Sequence, residues 1–234
     1  MSIKKNGDEL GKKKAAKSAI SQIEDGMKVG LGTGSTVAEF VKLLSKEIKS
    51  RNLDIRAVCT SYQTKNLAID NEIPIISYNE TKSLDIGVDG ADLVDENLNL
   101  LKGGGAAHLR EKIMAKMTKK YSIIVDETKL CEKINEPIPI EVIPSAKNLV
   151  EKNLEELGGK PILREAEKKD GPVITDNGNF VLDCSFENLE KDKRDLEQLA
   201  KKIKETTGIV EHGLFIDLAD EVHIGNKEKC YIKK

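Results

Sequence analysis

Lys102-Gly103-Gly104-Gly105-Ala106-Ala107-His108-Leu109-Arg110-Glu111-Lys112 sets a lysine and three glycines directly ahead of a helical stretch of small residues. With no side chains in the way, backbone there can come very close to a bound molecule and offer it N–H donors. On the helix, Glu111 shares a face with Ala107, His108, Met114 and Ala115, at offsets of three and four, so no lysine or arginine is expected to pair with it. Helix glutamates are commonly solvated. A carboxylate on an apolar, small-residue face is instead set up for burial, which raises its pKa and suits it to exchange protons.

Gly30-Leu31-Gly32-Thr33-Gly34-Ser35-Thr36 follows an apolar strand and opens a helix. A strand-to-helix turn can be purely structural, but this one is rich in hydroxyls and glycines, and its N–H groups and helix N-terminus can hold an anion, with phosphate the natural guest. It lacks the third glycine of a dinucleotide fingerprint and the Gly-Lys-Ser/Thr of a P-loop. The second strand ends in Thr60-Ser61, not in the acidic residue that would hold a nucleotide ribose, and those hydroxyls suit a sugar or a phosphate equally.

Asp89-Gly90-Ala91-Asp92 ends the apolar stretch Leu84, Ile86, Val88, where open α/β sheets assemble their sites. Two carboxylates around a glycine could bind a metal, but the usual His or Cys partners at ligand spacing are missing. The alternatives are local turn and cap bonds, or hydrogen bonding to sugar hydroxyls and proton transfer. His108, His212 and His223 do not cluster, and each reads as structural or solvated. Cys59, Cys131, Cys184 and Cys230 form no CxxC pair, so neither a zinc site nor a disulfide framework is expected.

The elements that would position these residues follow from hydrophobic period. Met27–Leu31, Val37–Ile48, Ile55–Cys59 and Tyr62–Ile69 alternate strand and helix; Ile73–Ile76, Leu84–Val88, a helix from Ala106 to Lys119, and Tyr121–Val125 continue the rhythm. This predicts an α/β fold with a doubly wound, mostly parallel, Rossmann-like sheet of five strands. After Glu136-Pro137-Ile138-Pro139 the order becomes β-α-β-β-α-β: Ile138–Ile143, a helix at Ala146–Leu157, Pro161–Leu163, Phe180–Cys184, a long helix ending near Thr207, and Gly208–Glu211. That is a small α+β, ferredoxin-like unit, with Asp176-Asn177-Gly178-Asn179 as the turn between its middle strands. Leu214–Gly225 would return to the first sheet. The expected division is residues 1–134 plus 213–234 for the catalytic α/β domain and 135–212 for the small domain.

Among 234 residues, 38 basic side chains nearly cancel 40 acidic ones, so no overall field points to nucleic acid or a membrane surface. Lysine runs such as Lys12-Lys13-Lys14 and Lys201-Lys202 read as solvated helix faces. Met1–Leu10 is polar, without the apolar core of a signal peptide, and no run has the length of a membrane span, so a soluble, cytoplasmic protein is expected.

Taken together, Gly32-Thr33-Gly34-Ser35-Thr36, Thr60-Ser61, Asp89-Gly90-Ala91-Asp92, Lys102-Gly103-Gly104-Gly105 and Arg110-Glu111-Lys112 resemble the ribose-5-phosphate isomerase A family in order and separation. The resemblance extends through Asp126-Glu127-Thr128-Lys129, Pro139-Ile140-Glu141-Val142-Ile143-Pro144, Thr175-Asp176-Asn177-Gly178-Asn179 and Gly213-Leu214-Phe215, nearly the whole chain. Departures fall at Leu93 and His108. The resemblance implies a cofactor-free and metal-free isomerase of the pentose phosphate pathway, converting ribose 5-phosphate and ribulose 5-phosphate through an enediol. It implies Glu111 as the base between C1 and C2, with Asp89, Asp92 and Lys102 around the reacting oxygens. Substrate would also meet Thr33, Gly34, Ser35, Thr36, Gly90, Ala91, Gly103, Gly104, Gly105 and Lys129, with a lysine of the N-terminal run, Lys12 or the adjoining Lys13 or Lys14, approaching the phosphate. The assembly implied is a homodimer or homotetramer.

Ring opening is expected to fall to Asp89. Rival readings are an amino-sugar phosphate deaminase or coenzyme A transferase of the same broad fold, disfavoured by the spacing from Lys102 to Glu111, and a non-catalytic sugar-phosphate sensor. The sensor would need a DNA-binding element, and no helix-turn-helix is evident.

Overall fold

The computed structural model describes residues 8–186 and 193–234; Met1 to Gly7 of the polar N-terminal stretch lie outside them. In chain order the elements are α1 (Glu9–Ile20), β1 (Lys28–Leu31), α2 (Ser35–Arg51), β2 (Arg56–Cys59), α3 (Tyr62–Asp70), β3 (Ile86–Asp89), β4 (Leu93–Val94) and β5 (Leu100–Leu101). Next come α4 (His108–Met117), β6 (Tyr121–Asp126), β7 (Ile138–Val142), α5 (Lys147–Glu156), β8 (Gly159–Leu163) and β9 (Phe180–Phe186). The chain closes with α6 (Lys193–Glu205), β10 (Ile209–His212), β11 (Leu214–Phe215), β12 (Glu221–Gly225) and β13 (Cys230–Lys233).

The six-stranded sheet has the order β13-β12-β6-β3-β1-β2, all neighbours parallel except the antiparallel edge strand β13. Period-two alternation divides its strands between two cores. Ile124 packs with Val29, Leu31 and Phe40, while Ile123 and Val125 pack with Met114 and Ile224 on the opposite face. The chain leaves β1 toward β2 and then returns to place β3 on β1's other side, so the order reverses between β1 and β3. Crevices at the carboxyl ends of such strands are where open α/β sheets bind ligands. Both the Gly32–Thr36 loop and Asp89–Asp92 issue from that point.

The four-stranded antiparallel sheet β10-β7-β9-β8, with α5 and α6, is the ferredoxin-like arrangement. Its core is shared with Leu93, Leu101 and Leu214 of a third sheet, β11-β5-β4. Leu93, one of the departures from the family pattern, is thus a buried core residue.

Several expected elements differ. Ile73–Ile76 makes only a single bridge to β2, through Ile75 and Ala57. Pro74 has no N–H to extend a ladder, and only its carbonyl bonds, to the Ala57 N–H at 2.8 Å. The helix expected from Ala106 begins at His108, because Ala106 is left-handed at φ +57°. Leu214–Phe215 pairs with β5, and only β12 returns to the large sheet. The turn at 176–179 is present, with Gly178 at φ +79°, but it ends a long connection from β8 rather than closing a tight hairpin. Among the described residues no helix is long and apolar enough to cross a membrane.

Candidate active site

Just beyond β1, the Gly32 N–H bonds to the Val88 carbonyl at 2.9 Å, which ties the loop to the end of β3. Gly34, at φ +120°, occupies the N-cap of α2, and no side chain caps that helix. The first-turn N–H groups of a helix have no partner within it, and here nothing from the chain's side chains replaces them. They lie at the positive end of a long helix, which makes this a cradle for an anion. The Thr33 hydroxyl is turned away from this opening, 2.7 Å from the Thr60 hydroxyl and 2.9 Å from that of Ser61. Thr60 and Ser61 are buried and do not reach the cavity; their hydroxyls fix the loop.

A lysine between two carboxylates forms the other end. Lys102 Nζ lies 3.2 Å from Asp89 Oδ2, 3.3 Å from Glu111 Oε2 and 2.5 Å from the Gly90 carbonyl. The cation that pairs with Glu111 therefore comes from the end of β5, invisible to an analysis of helix spacing. Asp89 is entirely buried: Oδ1 accepts from the N–H groups of Gly90 and Thr33, and Oδ2 from the Tyr121 hydroxyl at 3.0 Å. Burial, then the charge of Asp89, push the Glu111 carboxyl up to about 8 against the pull of Lys102. Burial also raises Asp89, while the carboxylates around Lys102 outweigh the cost of burying its ammonium and hold its pKa above the ordinary lysine value.

The glycine loop makes close approach possible. Gly103 sits at φ +104°, and the Gly104 N–H donates to Asp92 Oδ2 at 2.8 Å. A side chain at Gly104 would meet Asp92 Oδ1 at 2.8 Å. His108 is fully buried under this loop with both ring nitrogens unpartnered, and burial drives it down to about 3, so it is a neutral packing residue. Next to Glu111, Lys112 donates to Glu211 at 2.8 Å and to the His212 carbonyl at 2.6 Å, which anchors α4 to β10.

One cavity of ≈ 620 Å³ joins the two ends. Thr33, Gly34, Ser35 and Thr36 line one side, Gly90, Ala91, Asp92, Lys102, Gly103, Gly104, Gly105 and Glu111 the other, and Lys12 and Lys129 also border it. Asp89, expected at the reacting oxygens, stands one layer behind and touches the site through Lys102. Lys12, read as part of a solvated run, is buried, whereas Lys13 is exposed. The signal was present: Lys12 shares the inward face of α1 with Ala15, Ala16 and Ala19. Glu9 and Gln63 also border the cavity and were missed; Glu9 pairs with Lys12 at 2.7 Å, one helical turn away, while nothing in the sequence marks Gln63.

A glycine-walled cavity with an anion cradle at one end and a buried carboxylate and ammonium at the other defines an α/β protein built for proton transfer on a small phosphorylated molecule. The chain belongs to the ribose 5-phosphate isomerase A (phosphoriboisomerase A) family, whose sequence model matches residues 56–229. It is 47% identical over 224 residues to the ribose-5-phosphate isomerase A of Archaeoglobus fulgidus, covering 95% of this chain and 98% of that one. To the Methanosarcina acetivorans protein of the same name it is 46% identical over 221 residues, covering 94% and 92%. Among solved structures, ribose 5-phosphate isomerase A from Methanocaldococcus jannaschii superposes with a TM-score of 0.90 at 41% identity, covering 95% of this chain and 97% of that one. A D-ribose-5-phosphate isomerase in complex with phospho-erythronic acid superposes at 0.89 with 45% identity, covering 98% and 100%.

Proposed function

We propose that this chain interconverts D-ribose 5-phosphate and D-ribulose 5-phosphate through an enediol, with Glu111 carrying the proton between C2 and C1. The observation that supports this most is the pairing of a buried, proton-hungry carboxylate with Lys102 at 3.3 Å, across one cavity from an uncapped helix N-terminus.

Phosphate in the α2 cradle, bordered by Lys12 and Lys129, holds the open-chain sugar with C1 and C2 at the glycine loop. Glu111 removes the C2 proton of the aldose, charge develops on the carbonyl oxygen, and Lys102 with the glycine N–H groups stabilises it. The same carboxyl then returns the proton to C1 as the hydroxyl proton passes from O2 to O1, which leaves the C2 carbonyl of the ketose. A phosphorylated sugar acid, the ligand of the related structure, has a planar anion at one end and phosphate at the other, as both ends of this cavity require.

Of the two aspartates Asp92 lines the cavity, and we assign it proton exchange with the ring oxygen when the cyclic sugar opens. Asp89 acts one step back, by holding Lys102. Turnover of the cyclic substrate by Asp92→Asn at the wild-type rate would overturn this assignment. The working form is read as a homodimer or homotetramer, the symmetric assemblies common among soluble enzymes; light scattering on the purified protein tests it.

The direct test is conversion of ribose 5-phosphate to ribulose 5-phosphate by protein treated with chelator, alongside Glu111→Gln. General-base catalysis contributes roughly a hundredfold to ten-thousandfold, so the variant should lose that much in kcat with little change in KM. Absence of turnover in the wild-type protein would refute the function, and full activity of the variant would refute the base.

A further inference from the structure

Arg164 follows β8 in the small sheet and lies outside the cavity lining, yet it is the side chain that holds the glycine loop from behind. Its Nη1 donates to the Gly103 carbonyl at 2.7 Å and to the Gly104 carbonyl at 3.4 Å. The guanidinium is itself fixed by Asp183 of β9, with Nε donating to Oδ2 at 2.8 Å and Nη2 bonding Oδ1. Its backbone is tied on both sides, N–H to the Val181 carbonyl at 2.9 Å and carbonyl to the Val173 N–H at 2.8 Å. This fork geometry is one that lysine cannot reproduce.

In a trans peptide the carbonyl and the following N–H point in opposite directions. Drawing the Gly103 carbonyl toward Arg164 therefore turns the Gly104 N–H the other way, and it is found on Asp92 at 2.8 Å. By the same geometry, drawing the Gly104 carbonyl back aims the Gly105 N–H toward the cavity that Gly105 lines. A charged donor on the carbonyl also polarises the peptide and strengthens the N–H on its far side. Glycines resist none of this rotation by themselves; within the loop the Ala106 N–H also bonds the Gly103 carbonyl, at 3.0 Å, and Arg164 is the side chain that holds both carbonyls.

We propose that Arg164 is a positioning residue for the isomerisation: it orients and polarises the Gly103–Gly104–Gly105 peptides so that their N–H groups meet Asp92 and the developing enediolate oxygen. The proposal rests on the isomerase reading. It differs from a plain cross-strand ion pair with Asp183, which would stabilise the small sheet and leave the selectivity of the cavity untouched.

The test compares two inhibitors on wild type, Arg164→Met, Arg164→Lys and Asp183→Asn: phospho-erythronic acid, planar and anionic at the reacting end, and ribitol 5-phosphate, which shares the phosphate but bears no such anion. Preorganised donors act on the developing charge, so Arg164→Met should weaken the acid about tenfold to a hundredfold and lower kcat by a similar factor. KM and ribitol 5-phosphate inhibition should stay within about threefold, since the phosphate cradle is unaltered. Arg164→Lys and Asp183→Asn, which keep a cation in place, should show smaller losses with the same selectivity, and they carry the test if the methionine variant fails to fold. Equal weakening of both inhibitors, or no change in either, would overturn the proposal. Wild-type protein without turnover would instead refute the isomerase reading.

Discussion

Lys102 Nζ lies 3.3 Å from the Glu111 carboxylate, and both groups are almost entirely buried, so the cation and the carboxylate proposed as the base share one desolvated site. The attraction is not enough to restore Glu111 to an ordinary carboxylate. Burial and the neighbouring Asp89 outweigh it and hold the group up to about 8. The base is then poised close to neutral pH, where proton abstraction and return are both accessible.

The pH dependence of kcat/KM follows from this. Glu111 must be ionised to take the C2 proton, so activity should climb through the neutral range and level off above about 8. Well below that value the slope should approach tenfold per pH unit. A profile already flat from pH 5 to 9 would contradict the assignment of Glu111 as the base.

Stability should run the opposite way. A carboxyl whose pKa is raised in the fold binds its proton more tightly folded than unfolded, so its favourable contribution is present at low pH and is lost as pH rises through about 8. The upward shift persists with Lys102 present, so Glu111→Gln removes a net cost. Urea denaturation should find the variant more stable by about 2 to 4 kcal/mol at pH 9, with the gap closing toward pH 5. A gap independent of pH would show that the carboxyl is not strained in its ionised form.

How the sequence announced this site is instructive. Glu111 stood out because its helical neighbours are small and apolar, and the glycine loops because few other functions need so many bare backbone positions. The cation beside Glu111, the layer on which Asp89 sits and the hold of Arg164 on the loop all depend on contacts between elements far apart in the chain, and period and spacing carry no information about those. Pro74 carried its own warning, since proline cannot extend a ladder. The two-residue strands β4, β5 and β11 are too short to show a period, and β13 is masked by the lysines that protect an edge strand.

Removing the cation should leave both buried carboxylates without their counter-charge. In Lys102→Met, Asp89 and Glu111 remain buried 0% and 4% exposed without their shared partner. Breaking a buried pair on one side costs about 3 to 5 kcal/mol, and here the cost should be greatest at alkaline pH, where both carboxylates are charged. Glu111 loses the charge that most pulls its pKa down, so the rising limb of the pH profile should move above 8. Turnover should fall about a hundredfold or more under the proposed mechanism, in which Lys102 also stabilises the developing oxyanion. An unmoved limb would mean that Lys102 does not govern the base.

Gly32 tests the seat of Asp89. A Cβ at this position would stand 1.9 Å from Asp89 Oδ1 and 2.1 Å from its Cγ, far inside contact distance. Gly32→Ala must therefore push the Asp89 side chain off its bonds to the Gly90 N–H, the Tyr121 hydroxyl and Lys102. Overpacking of this kind costs about 1 to 3 kcal/mol, and the displaced carboxylate should cost activity as well. Thermal melts and kcat measured side by side would show the two losses together; wild-type kcat in a folded variant would free Lys102 from any dependence on Asp89.

The phosphate end offers a prediction with an internal control. Lys12 and Lys129 border the same cavity as the α2 N-terminus, while Lys13, adjacent in sequence to Lys12, is exposed. Charge-assisted hydrogen bonds are worth about 1.5 to 3 kcal/mol each, so Lys12→Met and Lys129→Met should each raise KM roughly tenfold to a hundredfold and weaken competitive inhibition by inorganic phosphate in parallel. Lys13→Met should match wild type. Lys12 pairs with Glu9 at 2.7 Å, and a phosphate that used Lys12 would compete with that carboxylate. Glu9→Gln should accordingly tighten phosphate binding, the reverse of the lysine variants. Unchanged KM and phosphate inhibition in both Lys12→Met and Lys129→Met would move the phosphate away from this end of the cavity and with it the orientation of the sugar over Glu111.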